Sequence, residues 1–218
     1  NNTIRSKNGI YIQTNSSLGT KKINIYKNNI EAGDKGLPIN VSGGDDVKVA
    51  LNTIHGFWGI VVKPIKQING ITINDNWIDS EGGCIYNTGE NVQDDLVITN
   101  NTLRGTVMSD GKRLLFLNNK CEGEVLAIHA DSCVVKNNLI NNNLEVYNGC
   151  VVTGNTINGC ITIKSSELSG NVIKGINKKE SRVSGIITIN GEGRVVNNKV
   201  SLLDTATDLT NVFNIRHD

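Results

Sequence analysis

The chain has 218 residues, with 22 Lys and Arg against 21 Asp and Glu and a formal net charge of +1. That balance leaves no basic footprint for nucleic acid and no polybasic patch for a membrane surface, and no apolar run approaches the roughly 20 residues of a membrane-spanning helix. Two Pro, few aromatics and abundant Asn, Val and Ile favour strands and turns over helices.

The chain opens on Asn1-Asn2-Thr3-Ile4, already inside a repeat. Natural arrays carry a polar cap on the first unit, so the opening reads as part of a longer protein. The repeat is clearest at Leu96-Val97-Ile98-Thr99-Asn100-Asn101-Thr102-Leu103. Its Asn recurs at Asn2, Asn28, Asn52, Asn76, Asn101, Asn119, Asn138, Asn155, Asn171 and Asn198. Successive spacings are 26, 24, 24, 25, 18, 19, 17, 16 and 27 residues, a period that means a solenoid.

Columns decide which kind. Five residues before each Asn stand Ile23, Val47, Ile71, Leu96, Leu114, Cys133, Cys150, Ser166 and Gly193. Three before stand Ile25, Val49, Ile73, Ile98, Phe116, Val135, Val152, Leu168 and Val195. Alternation at period two predicts a strand with one buried face. Two residues after each Asn, from Ile4 to Val200, a further apolar column opens a second strand. A third strand is announced by Gly, as in Gly9-Ile10-Tyr11-Ile12, Gly59-Ile60-Val61-Val62 and Gly159-Cys160-Ile161-Thr162-Ile163. Its inward register stays open, because Ile60 and Ile161 stand at different offsets from their Gly. Three strands per repeat predict an all-β parallel β-helix of about ten turns over residues 1–218, with 203–218 an irregular end. The Asn belong in a tight corner, where stacked amides both donate and accept and where Asn tolerates a left-handed backbone.

The apolar-x-Asn-Asn-x-Ile pattern, followed by Gly-Ile-x-Val, resembles the repeats of the right-handed pectate-lyase-like β-helix superfamily. That superfamily includes pectin-degrading enzymes and bacteriophage tailspikes. The Asn- and Lys-rich texture, short repeats and variable corners look most like a tailspike or tail-fibre module. The resemblance implies a right-handed coil, a homotrimer, a bacterial surface polysaccharide as partner and a place in a virion tail or outside the cell. It implies no cofactor. The signature catalytic segments of pectate lyases, polygalacturonases and C5-epimerases are missing.

Repeats one to four have the longer connections, Arg5–Asn8, Glu31–Lys35, His55–Trp58 and Asp79–Gly82. These offer walls for a shallow groove. A later insertion, Lys174–Ser184, carries Lys178, Lys179, Glu180 and Arg182. Three residues after the Asn stand Arg5, Glu31, His55, Asp79, Arg104 and Glu122. Glu31 and Asp79, two rungs apart, are candidate acid and base for hydrolysis or elimination on a polysaccharide. His55 lies between them. Trp58, Lys63 and Glu81 are candidate substrate contacts, with Trp58 as a sugar-stacking face. The alternative is structural: stacked exposed strands alternate charge to avoid like neighbours, as a non-catalytic adhesive shaft would. Trp77, next to the buried Ile78, is read as pointing outward, to sugar or to a subunit.

A second acidic column, seven before the Asn, includes Asp45, Asp94 and Asp131, with Asp46 and Asp95 beside the first two. Asp, Asn and Gly at one fixed place mark a tight turn in preference to a calcium site. The His residues, His55, His129 and His217, lack zinc spacing. The five Cys have no C-x-x-C pair, and their odd number argues against a full disulfide framework. Cys121, Cys133 and Cys150 fall in apolar columns and read as small core residues.

Overall fold

The computed structural model of the chain describes residues 2–13, 22–64, 70–88, 94–123, 125–175, 186–202 and 213–216. Among these residues there is no helix. The strands form two sheets, one 18-stranded and one 9-stranded, with parallel pairing throughout, an arrangement compatible with a parallel β-helix.

The smaller sheet is built from the segments just before each ladder Asn. It runs from β3 (Asn24–Tyr26), β6 (Val47–Ala50), β8 (Ile71–Asn74) and β10 (Leu96–Thr99) to β25 (Arg194–Val196). The larger sheet holds two series. One follows the Asn, from β1 (Thr3–Ser6) and β4 (Asn29–Ala32) through β11 (Thr102–Arg104) to β26 (Lys199–Leu202). The other is the Gly-announced series, from β2 (Ile10–Ile12) and β5 (Ile39–Val41) through β12 (Val107–Ser109) to β27 (Phe213–Arg216). In the third and fourth repeats the two series run together as β7 (Thr53–Val62) and β9 (Trp77–Asn87). The connections predicted at His55–Trp58 and Asp79–Gly82 are therefore continuous strand.

Each strand pairs with its equivalent one repeat along, so the columns stack: Ile25 on Val49, Val49 on Ile73, Ile73 on Ile98, Ile98 on Phe116. From Val47 to Cys150 and from Ile25 to Leu168 both columns before the Asn are buried. Each buried Val or Ile contributes roughly 1.5–3 kcal/mol against exposure. The open register of the third strand resolves as Ile39, Ile60, Ile85, Val107, Leu126, Leu144, Ile161 and Ile187 in one inward column. Gly is not its fixed marker. Gly59 directly precedes Ile60, whereas Cys160 intervenes between Gly159 and Ile161.

All ten ladder Asn are joined. Each donates from its side-chain Nδ2 to the side-chain Oδ1 of the next, from Asn2 to Asn198, and its backbone N–H points at the same oxygen. Nδ2 also reaches back: that of Asn101 donates to the carbonyl of Ile73 in the previous repeat and to that of Thr99, both at 2.9 Å. One amide thus ties three consecutive repeats.

The left-handed backbone falls one residue earlier than predicted. From Asn28 onward it is the residue before each ladder Asn that takes positive φ: Lys27 (54°), Leu51 (56°), Asp75 (56°), Asn100 (57°), Asn118 (55°), Asn137 (57°), Gly154 (66°), Gly170 (62°) and Asn197 (55°). The corner bends there so that the following Asn turns inward. A second set of left-handed residues stands six before the Asn, including Lys22, Asp46, Gly70, Asp95, Arg113, Ser132, Gly149 and Ser165. The acidic column beside it is thus a turn. Asp95 is held in addition by a two-pronged Arg113 contact at 2.6 and 2.8 Å.

The cysteine reading needs one correction. Cys133 and Cys150, one rung apart, are joined as a disulfide closing 17 residues, with Cα atoms 4.4 Å apart. A link across a loop of that size is worth about 3 kcal/mol. Adjacent places in one inward column bring two thiols together, a consequence of the repeat that a count of cysteines does not show. The C-terminal end also differs: β27 pairs with β24 (Ile187–Asn190) as a regular parallel strand. Residues 203–212 lie outside the described residues, as do Lys178, Lys179, Glu180, Arg182 and His217.

Two outcomes follow. Asn101→Leu strands the buried groups it now serves and lowers unfolding free energy by about 1–3 kcal/mol in denaturant titration. Leu51, a half-exposed aliphatic residue at φ 56°, carries left-handed strain that Asn tolerates. Leu51→Asn therefore raises stability, by up to about 1 kcal/mol.

Candidate functional site

The charged column exists in register: Arg5 on Glu31, Glu31 on His55, His55 on Asp79, Asp79 on Arg104. Its members have different partners. Glu31 is ion-paired with Arg5 at 2.9 Å, and both side chains are more than half exposed. Glu122 is paired with Arg104 at 2.8 Å and with Lys120, and both cations hold its carboxyl below the usual range, Lys120 foremost. Exposed pairs of this kind contribute under about 1 kcal/mol each and mainly order the face.

Asp79 departs from this pattern. It lies in register between His55 and Arg104, yet among the described residues it makes no ion pair. Arg104 turns away to Glu122 and lies over the Trp77 ring at 5.6 Å. The Trp77 ring in turn meets His55 edge-on at 4.7 Å. Trp77 is half-buried between its neighbours and does not project as a free platform.

Asp79 opens instead onto a surface depression of 540 Å³, lined by Ala32, Gly33, Asp34, Lys35, His55, Gly56, Phe57, Asp79 and Glu81. A register shift shapes it. Gly56 pairs with Ser80 but Trp58 pairs with Gly83, so β9 holds one extra residue opposite Phe57. Such a bulge bends the strand and re-aims side chains. Gly82 lets the Phe57 ring lie against β9: a Cβ there would stand 2.7 Å from the ring. Gly83 does the same for Trp58, where the gap would be 2.8 Å.

Of the six candidates, the structure gathers His55, Asp79 and Glu81 in this depression and leaves Glu31, Trp58 and Lys63 out of its lining. Glu31 turns to Arg5. Trp58 packs edge-on against Phe57 and Tyr86, at 5.5 and 5.1 Å between ring centres. Lys63 lies past the end of β7, where its backbone N–H donates to Val41. Asp34 and Lys35 were missed as candidates. They sit in the connection after β4, where counting from the ladder Asn no longer fixes a side chain's place. The lining presents three carboxylates, one ammonium, one imidazole and one aromatic ring. These groups can hydrogen-bond hydroxyls, hold an amine or move a proton.

A second titratable line lies at the ends of β12, β15 (Val125–Ile128) and β18 (Asn143–Val146). His129 Nδ1 is 3.6 Å from Asp110 Oδ1, and its ring meets that of Tyr147 at 4.6 Å. Burial pushes the Asp110 carboxyl up, against the opposing pull of His129.

Burial keeps the three thiols outside the disulfide in the protonated, weakly nucleophilic form. Burial, then the charge of Asp79, pushes the Cys84 thiol up to about 12. Burial also raises those of Cys121 and Cys160. Comparison with protein-family models, with curated proteins and with solved structures finds no match to this chain.

The thiol environment gives a direct outcome. Because reaction requires thiolate, iodoacetamide at pH 8 leaves Cys84, Cys121 and Cys160 unmodified in the native protein, as read by intact mass. All three react once the chain is unfolded in guanidinium.

Proposed function

We propose that the chain winds as one right-handed parallel β-helix of about ten turns and that its second to fourth turns engage a bacterial surface polysaccharide. Three facts support the coil: the three parallel series, met in fixed order, the one-repeat register and the unbroken Asn ladder. The sequence resemblance to pectate-lyase-like proteins and tailspikes supports the handedness. It also supports a homotrimer carried on a virion tail or acting outside the cell.

One observation carries the glycan reading. Among the described residues Asp79 makes no ion pair inside its depression, although an Arg stands in register beside it. A column built only to balance charge would pair it. Phe57 adds an apolar face for a sugar ring, and His55 adds a donor and acceptor for hydroxyls. Three carboxylates against one ammonium favour a neutral or amine-bearing glycan over a uronate-rich one. In the hydrolytic form of this reading, one of Asp79 and Glu81 activates water. The other protonates the departing glycosidic oxygen as water adds to the anomeric carbon.

The alternative is a non-catalytic shaft, favoured by the ion-paired rungs Arg5–Glu31 and Arg104–Glu122. A printed array of purified bacterial capsular and O-chain polysaccharides separates the two. The glycan reading predicts saturable binding that falls at least about tenfold in Phe57→Ala and in Asp79→Asn. It also predicts new reducing ends that vanish in the double variant Asp79→Asn, Glu81→Gln. Binding without new reducing ends removes hydrolysis alone. Absence of binding to every printed polysaccharide leaves the shaft.

A further inference from the structure

We infer that the chain carries a second glycan subsite, centred on Tyr11 and Asn40, which takes the continuation of a polysaccharide seated beside Asp79. This rests on the glycan reading above.

The second depression has a volume of 320 Å³ and is lined by Asn8, Gly9, Ile10, Tyr11, Leu37 and Asn40. Tyr11 and Asn40 are partners in register on the outward face of β2 and β5. Tyr11 is 56% exposed, the largest exposure among the described large hydrophobic residues. Its neighbours Ile10 and Ile12 face inward, so strand alternation fixes the ring outward. No aromatic or cationic side chain among the described residues stacks on it. Asn40 is held on one side only. The Ser42 hydroxyl donates to Asn40 Oδ1 at 3.2 Å, while Asn40 Nδ2 has no acceptor among the described residues. An open aromatic face beside an oriented amide donor is suited to a sugar ring and one of its hydroxyls.

What identifies the occupant is continuity with the first depression. Leu37 and the buried Pro38 connect the two linings. On one side this segment is knitted to β2, with Gly9 N–H donating to Leu37 O at 2.9 Å and Ile10 N–H donating to Pro38 O at 2.8 Å. On the other, the Pro38 ring abuts Gly56, which lines the Asp79 depression: a Cβ at Gly56 would stand 2.7 Å from Pro38 Cγ. Asp34 and Lys35 of the first site and Leu37 of the second lie within four consecutive residues. A chain long enough to pass over this segment contacts both sites. A chain of one repeat fills only one.

The experiment uses the array polysaccharide with the strongest signal, cut into one-repeat and four-repeat fractions and titrated by calorimetry. Tyr11→Ala lowers affinity for the four-repeat fraction about tenfold and leaves the one-repeat fraction unchanged. Tyr11→Phe restores the long-chain affinity, because the ring face is kept. Asn40→Ala acts in the same length-dependent direction. An unchanged four-repeat affinity in Tyr11→Ala overturns the second subsite. So does an equal loss for both lengths. In either case binding that still depends on Phe57 leaves the Asp79 site standing. If no polysaccharide binds at all, both readings fall together.

Discussion

The hydrogen bond from one ladder Asn to the next is the constraint on which the rest of the structure depends. Inside a sheet core an unpaired amide is costly, and this chain buries eight of its ten ladder Asn in one line. Each finds its acceptor only if the next repeat sits one rung away with its own Asn at the same place. Eight of the nine intervals end on an Asn whose Nδ2 also holds a carbonyl one repeat back, as Asn76 does with Val49 O at 2.8 Å. The ladder therefore fixes register in both directions. A slip by one residue would unpair the amides and turn every Ile and Val column outward. The backbone cost is carried by the preceding residue. That division explains why the corner tolerates Lys27, Leu51, Asp75 and Gly154 in one place while its neighbour is always Asn.

Legibility in the sequence followed distance from that Asn. Columns three and five residues before it, and two after it, were readable because no insertion intervenes. The third strand lay beyond a corner of variable length, so Ile10 and Ile60 stand eight residues after their Asn but Ile39 stands eleven and Val107 six. No fixed offset finds it. The same loss affected the site. His55 and Asp79 were reachable by counting, and they do face one depression. Asp34 lay past Gly33 in a connection, where only the folded path shows its neighbours. Glu31 was counted correctly into the column and then lost to Arg5. A column assigns a rung, whereas the rotamer assigns the partner.

The surface thus divides into two regimes on one scaffold. Where Arg and Glu alternate, as at Arg5–Glu31 and Arg104–Glu122, the outward column closes on itself. Where β7 and β9 run through the corner, a one-residue bulge and the pair Gly82-Gly83 make room for Phe57 and Trp58. There, among the described residues, Asp79 makes no ion pair. The inward columns are the same in both regimes. Under the proposed glycan reading, function depends on corner length and on which outward charges are left open, while the ladder supplies a level reference beneath them.

The most direct test of the account is hydrogen exchange at the Asn side-chain amides, resolved by nuclear magnetic resonance. If the ladder is the organising interaction, the Nδ2 protons from Asn28 to Asn171 are protected to the level of the core strand amides and exchange together with them. Amides outside the line, such as that of Asn40, exchange freely. Exchange of the ladder amides at the rate of Asn40 would contradict the account.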